Sequence, residues 1–287
     1  MQIPPLSQIF LDEREFLVKR DDLIDPYLAG NKYRKLYTLL QTPNEKYTTI
    51  ISYGGTQSNA MLAIAAMCRQ KAWQFIYYTK ELSRTQRENP SGNYENALKL
   101  GMDHREISNE LYRDFIASLS VTLDEKTFLI DQGGAVVQAK NGLEVLADEL
   151  REQLQEFPQV QALATPSGTG TTALFLAYAM PEYKVYTTPC IGDAAYLQEQ
   201  MQALDALPDN LIILEPKKKY RFAKPYLEFY EIYKKLLGSG IEFDLLYAPS
   251  MWLTLLEQTH EKILYIHSGG VSGNISMLDR YRKFDKE

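Results

Sequence analysis

Short apolar runs rich in Ile, Tyr, Val and Phe alternate along the chain with longer stretches whose apolar positions recur at helical spacing. The short runs predict strands over 47–53, 73–78, 127–130, 160–164, 185–188, 211–214 and 263–267. The amphipathic stretches predict helices over 32–40, 58–69, 93–100, 142–156, 171–179 and 194–204. Strands alternating with helices of this size make βαβ units, so the pattern implies an α/β protein with parallel-rich sheets flanked by helices. Two polar segments break the alternation. The segment 81–93 (ELSRTQRENPSGN), with Pro90 and Gly92, reads as a surface connection. The segment 216–226 (PKKKYRFAKPY) mixes four lysines, Arg221 and two tyrosines, and is either a solvated basic loop or a rim over an anionic ligand. No repeat of fixed period is visible.

Composition narrows the class. The 287 residues suffice for about two compact domains or one large one, at roughly 100–200 residues per domain. The 31 Lys and Arg stand against 37 Asp and Glu, a formal net charge of −6, which argues against a nucleic-acid footprint. Only Cys68 and Cys190 could pair, and they lie far apart in sequence, which suits a reducing compartment better than a disulfide framework. Three histidines without CxxC or HxxxH spacing leave no structural metal site to expect. The apolar runs 60–68 and 173–180 are about half the ~20 residues a bilayer span needs. The N-terminus has Pro4, Pro5 and early acids where a leader would carry a basic start and an apolar core. The expectation is a cytoplasmic protein that binds neither nucleic acid nor membrane.

Candidate chemistry lies at the strand ends. Four of them run into small-residue turns: GGTQSN at 54–59, QGG at 132–134, PSGTGTT at 166–172 and SGG at 268–270. Ligands of open α/β sheets bind at the carboxyl ends of the strands, where these turns fall. PSGTGTT follows a strand and opens an apolar helix. Gly168 and Gly170 allow close backbone approach, and Ser167, Thr169, Thr171 and Thr172 add hydroxyls. Such a turn is either a tightly capped helix or an anion cup suited to phosphate. It is not a Walker loop, since no GK[ST] follows, and it lacks the GxGxxG spacing of a dinucleotide site. GGTQSN is a second cup, in which Gln57, Ser58 and Asn59 exceed what helix capping alone requires and could hold a carboxylate. The third feature is the Gly30-Asn31 turn opening a helix at Lys32. A lysine there is either a solvated helix residue or a desolvated amine with the lowered pKa of a Schiff-base lysine.

With these features in this order, the chain resembles the family of 1-aminocyclopropane-1-carboxylate deaminases and D-cysteine desulfhydrases. These are pyridoxal 5'-phosphate enzymes of two-domain fold type II, the tryptophan synthase β-like fold. KRDD at 19–22 with GNKYRKL at 30–36 resembles the signature around the family's cofactor lysine, which implies a Schiff base on Lys32. GGTQSN is similar to the turn that holds the substrate carboxylate, which implies substrate contacts from Gln57, Ser58 and Asn59, with Asn59 also beside the cofactor. PSGTGTT resembles the phosphate loop, which implies that Gly168, Thr169, Gly170, Thr171 and Thr172 hold the cofactor phosphate. FDLLYAPSMW at 243–252 resembles the segment bearing an active-site tyrosine, here Tyr247, and Tyr220 is a looser match to a second one. YIHSGG at 265–270 resembles the last strand and turn, where Ser268 would face the pyridine nitrogen.

The chain also departs from the pattern. In the deaminase branch a glutamate follows the active-site tyrosine and pairs with the pyridine nitrogen, and here that position is Ala248. A neutral hydrogen bond from Ser268 would leave the nitrogen largely unprotonated, a weaker electron sink that favours substrates with an easy leaving group. Ala60 stands where relatives often carry a polar residue, and the chain is somewhat short for the family. The resemblance therefore implies a lyase acting on a small amino acid, foremost β-elimination from D-cysteine to pyruvate, sulfide and ammonia, with Lys32, Ser58 and Tyr247 catalytic. Ring opening of 1-aminocyclopropane-1-carboxylate and a cofactor-binding homologue without turnover are the alternatives, and a phosphate-sugar enzyme without the cofactor is the reading from another class. The resemblance also implies a homodimer whose larger domain is formed by 1–45 with 137–287 and whose smaller domain is 46–136.

Overall fold

The computed structural model describes residues 3–121, 123–134 and 138–285, so the expected domain boundary at 136 and 137 lies outside the described residues. Two sheets organise the chain. The first runs in the order β1 (Leu6–Leu11), β2 (Arg14–Lys19), β10 (Ile263–Ile266), β7 (Ala162–Ala164), β8 (Lys184–Thr187), β9 (Leu211–Ile213). The second runs β5 (Met102–Ile107), β4 (Gln74–Lys80), β3 (Thr49–Tyr53), β6 (Thr127–Ile130) and is parallel throughout. In the first sheet β2, β10, β7, β8 and β9 are parallel neighbours, whereas β1 pairs antiparallel with β2.

That hairpin and β5 are additions to the pattern read from the sequence. The tight turn between β1 and β2 places Asp12 and Glu13 at φ 47° and 62°. Left-handed backbone is usually signalled by Gly or Asn, and neither occurs there. β5 is the run MDHREI, whose polar positions hide a strand at the sheet edge. The other strands fall within two or three residues of their expected ends.

The helices are α1 (Gly30–Gln41), α2 (Asn59–Lys71), α3 (Arg84–Glu88), α4 (Gly92–Lys99), α5 (Tyr112–Ser118), α6 (Ala139–Gln153), α7 (Thr171–Ala179), α8 (Ala194–Gln202), α9 (Leu227–Gly238), α10 (Ala248–Gln258) and α11 (Asn274–Tyr281). The connection 81–93 thus holds a short helix, α3, started by a capping box between Ser83 and Gln86. α2 and α7 are the central pair. Residues 60–68 of α2 and 171–177 of α7 are all buried, as expected of helices apolar on every face. Both contribute to one core cluster with α1, α4, α6 and strands of both sheets. The polar turns are thereby left at the strand ends, between the sheets. Among the described residues no helix is long and apolar enough to cross a membrane.

Candidate active site

The site is built around the start of α1, two residues earlier than the periodicity predicts. Gly30 stands at φ +58°, and a Cβ there would lie 2.1 Å from the backbone C and O of Ser268. Only a glycine admits this approach, which the Asn31 N–H completes by donating to Ser268 O at 3.3 Å. The Gly30-Asn31 turn and the 268–270 turn are therefore one surface. Lys32 follows, its Nζ donating to Asn31 Oδ1 at 3.2 Å. Burial lowers its pKa to about 8, although the Asp244 charge pulls the other way.

α1 is held in place by a buried ion cluster. The Arg34 guanidinium makes two bonds to Asp21, both 2.8 Å, and two to Glu149, both 2.7 Å. Glu149 also receives Lys19 Nζ at 2.9 Å. Burial alone would lower the Arg34 pKa, but the two carboxylates outweigh it and hold the guanidinium charged. The co-occurrence of KRDD and GNKYRK thus has a mechanical reason: Lys19, Asp21 and Arg34 clamp the helix that presents Lys32.

Lys35, one turn after Lys32, is a residue that sequence reasoning passed over. It is buried and donates to Gly133 O at 3.3 Å and Thr169 Oγ1 at 3.5 Å, both neutral acceptors. Burial, with Lys32 nearby, pushes its pKa well down. The spacing from Lys32, which puts both amines on one helix face, was the available signal. Lys35 reaches the PSGTGTT turn, where Gly170 caps α7 in the left-handed region and Thr169 and Thr171 share a hydrogen bond of 3.0 Å. Thr172 Oγ1 is buried without a protein partner among the described residues. Ser167 instead faces the sheet, its Oγ 2.6 Å from Thr187 Oγ1.

In the 54–59 turn, Ser58 is the N-cap of α2, its Oγ accepting from Met61 N at 3.2 Å, and the Tyr77 hydroxyl donates to Gly55 O at 3.2 Å. Gln57 turns to the start of α4, donating to Ser91 O at 3.0 Å and accepting from Asn93 N at 3.2 Å. Asn59 Oδ1 accepts from Asn93 Nδ2 at 2.7 Å.

The segment 243–252 brings Asp244 and Tyr247 to the 270 and 168 turns. Asp244 Oδ1 accepts from the N–H groups of Leu246, at 3.0 Å, and Tyr247, at 2.6 Å, fixing the start of α10. Its burial still raises the carboxyl pKa. The Tyr247 ring lies against Gly168, where a Cβ would come within 3.3 Å of Cε1. Burial, reinforced by Asp244, pushes the Tyr247 phenol up, so it is neutral at neutral pH. Of the aromatic residues in 216–226, Phe222 reaches Tyr247, with ring centroids 5.3 Å apart. Tyr220 packs on Tyr226 and Phe229 and directs its hydroxyl to Glu228 at 3.4 Å. Three of the lysines in this segment pair with Glu257, Glu228 and Asp193, which favours the solvated loop over an anionic rim. Ala248 is buried and presents a methyl group only. His267 accepts from Gly269 N at Nδ1 and so donates through Nε2 to Glu242 O, holding the 268–270 turn in shape.

One cleft gathers Lys32, Asn59, Asp22, Leu62 and the 269–272 turn. A nucleophilic amine of lowered pKa, a helix N-terminus with a buried lysine and an unpaired hydroxyl, and an aromatic ring over the intervening glycine suit an aldehyde that carries a phosphate. The two parallel-rich sheets have the arrangement of fold type II, the tryptophan synthase β-like fold.

Comparison with known proteins agrees. No protein-family model matches the chain. It is 27% identical over 282 residues to a putative 1-aminocyclopropane-1-carboxylate deaminase of Thermotoga maritima, covering 89% of this chain and 88% of that one. It is 24% identical over 286 residues to the D-cysteine desulfhydrase of Salmonella paratyphi A, covering 90% and 87%. The crystal structure of an ACC deaminase homologue superposes with a TM-score of 0.77 at 20% identity, covering 97% of this chain and 94% of that one. The resemblance to the deaminase and desulfhydrase family read from the motifs is borne out along nearly the whole chain.

Proposed function

We propose that the protein is a pyridoxal 5'-phosphate-dependent lyase acting on a small amino acid, and that its preferred reaction is β-elimination from D-cysteine to pyruvate, sulfide and ammonia. The observation that carries this reading is Lys32, a lysine of pKa about 8 on a clamped helix, in a cleft with Asn59 and one turn from the buried Lys35. The donor set fits the cofactor: Thr172 Oγ1 is a buried hydroxyl at the α7 N-terminus without a partner among the described residues, and Lys35 is a buried amine whose acceptors, Gly133 O and Thr169 Oγ1, are neutral.

When bound, the cofactor supplies an electron sink for the substrate α-carbon. Lys32 would hold its aldehyde carbon and, once released, move the α-proton on Nζ. Lys35, Thr169, Thr171 and Thr172 would hold the phosphate with the N–H groups that follow Gly168 and Gly170. Ser58 and Asn59 would bind the substrate carboxylate, with Gln57 bracing the turn from behind through Ser91 and Asn93. Tyr247 would orient the substrate as a neutral hydrogen-bonding phenol. Ser268 would face the pyridine nitrogen. With Ala248 at the position where the deaminase branch carries a glutamate, a good leaving group such as the sulfur of cysteine is favoured over an unactivated ring carbon. We further propose a cytoplasmic homodimer in which 46–136 forms the smaller domain.

The test is sulfide release from D-cysteine by purified, cofactor-loaded protein, with L-cysteine as the control. Release from the D-isomer, abolished by Lys32→Ala, is the expected result. 2-Oxobutyrate from 1-aminocyclopropane-1-carboxylate without sulfide from D-cysteine would move the reaction to ring opening. Bound cofactor with no product from either substrate would leave a homologue without turnover.

A further inference from the structure

Asn59 lines the cleft with Lys32, and its amide could offer either a donor or an acceptor there. The surrounding hydrogen bonds decide which. Asn93, 0% exposed at the start of α4, places its side chain 3.1 Å from Gln57 O. A backbone carbonyl only accepts, so the Asn93 atom facing it is Nδ2. The remaining hydrogen of that NH2 goes to the Asn59 amide at 2.7 Å, so the Asn59 atom there is Oδ1. Ser272 Oγ completes the set by donating to Asn93 Oδ1 at 2.9 Å. Every polar atom of the Asn93 side chain is thereby used in one orientation, and Asn59 is left with its Nδ2 turned toward Gly270. Gly270 has no alternative in this arrangement, because a Cβ there would lie 2.5 Å from Asn59 Nδ2.

We propose that Asn93 is a positioning residue that fixes Asn59 as a hydrogen-bond donor to the molecule bound beside Lys32. The atom presented to Asn59 must then be an acceptor, as a phenolate or carboxylate oxygen is. Ser272 belongs to the turn after β10, whereas Gln57 and Asn59 follow β3, so the same side chain ties the two sheets together at the cleft. This inference rests on the cofactor reading above.

The test is a double-mutant cycle read on the equilibrium binding of pyridoxal 5'-phosphate to the cofactor-free protein, with melting curves to confirm folding. Asn59→Ala and Asn93→Ala should each weaken binding roughly tenfold, near the upper end for one hydrogen bond. The double variant should bind no more weakly than Asn59→Ala alone, because Asn93 acts only through Asn59. Effects that multiply to about a hundredfold would overturn the proposal. Ser272→Ala is a milder second arm should Asn93→Ala not fold. It should weaken binding about two- to threefold in the otherwise unchanged chain and not at all beside Asn59→Ala, and equal effects in both backgrounds would refute the coupling. Absence of binding by the unsubstituted protein would overturn the cofactor reading and this inference with it. Tight binding with additive effects would overturn only the role of Asn93.

Discussion

Holding Lys32 desolvated should destabilise the ligand-free fold, and Lys32→Met should reveal this. Burial lowers the lysine from its ordinary 10.5 to about 8. Each pK unit is worth about 1.4 kcal/mol, so the depression corresponds to an upper figure of about 3 kcal/mol, reduced by whatever solvent reaches the part-buried chain. The folded state holds fewer protons than the unfolded state between pH 8 and 10.5, so stability rises with pH through that window. Below pH 8 the penalty is present in full. A methionine of similar length removes the charge and keeps the apolar stem packed. Unfolding 287 residues carries an entropy of about 0.6 kcal/mol/K, so relief of 2–3 kcal/mol should raise Tm by about 3–5 °C at pH 7. The gain should shrink to about a quarter by pH 10 and vanish above pH 10.5, while cofactor binding through the amine is lost. Calorimetry or circular-dichroism melts of both proteins across this range provide the assay. A variant that melts no higher than the parent at pH 7, or whose advantage persists unchanged at pH 10, would refute the claim that Lys32 is held in a desolvated state.

Other sites give sharp expectations. Replacing Arg34 by Leu leaves the fully buried Asp21 without its partner and should cost about 3–5 kcal/mol in denaturant unfolding, and Arg34→Lys should recover only part of this because an ammonium cannot serve both carboxylates bidentately. Gly30→Ala combines a left-handed backbone with a contact of 2.1 Å to Ser268. It should lower Tm and weaken pyridoxal-phosphate binding together, whereas a change in stability alone would place this contact outside the site. His104, hydrogen-bonded by Tyr94 and Thr79, has its pKa lowered by burial, so the unfolded chain protonates first as pH falls. Stability should therefore drop on acidification below about pH 6.5, and a His104→Gln chain should lose less between pH 7 and pH 5 in urea titrations.

Much of the site was legible because it is local. A small-residue turn after a strand and before a helix announces a backbone that can cradle an anion, and this was enough to single out 54–59 and 166–172. Lys32 stood out only through its turn, since a lysine's desolvation depends on what packs over it. The hairpin over 6–19 escaped the pattern because its turn puts Asp12 and Glu13 in left-handed backbone without glycine or asparagine. α9, α10 and α11 escaped for another reason: their segments were read for motifs, and FDLLYAPSMW conceals a helix start whose preceding turn Asp244 holds through the N–H groups of Leu246 and Tyr247.

The sequence alone therefore determined the alternation of strands and helices, the turns at the strand ends and the candidate lysine beside the Gly30-Asn31 turn. These depend on neighbours within one turn of helix or one strand of chain. Tertiary structure decided what the neighbours could not. It coupled Arg34 to Asp21 and Glu149 across 115 residues, and brought Lys35 to Thr169 across 134. It set Phe222 rather than Tyr220 against Tyr247, and closed Asn93 onto Asn59 and Ser272. Each of these contacts joins segments whose meeting depends on how the two sheets pack, and no periodicity in the chain encodes that distance.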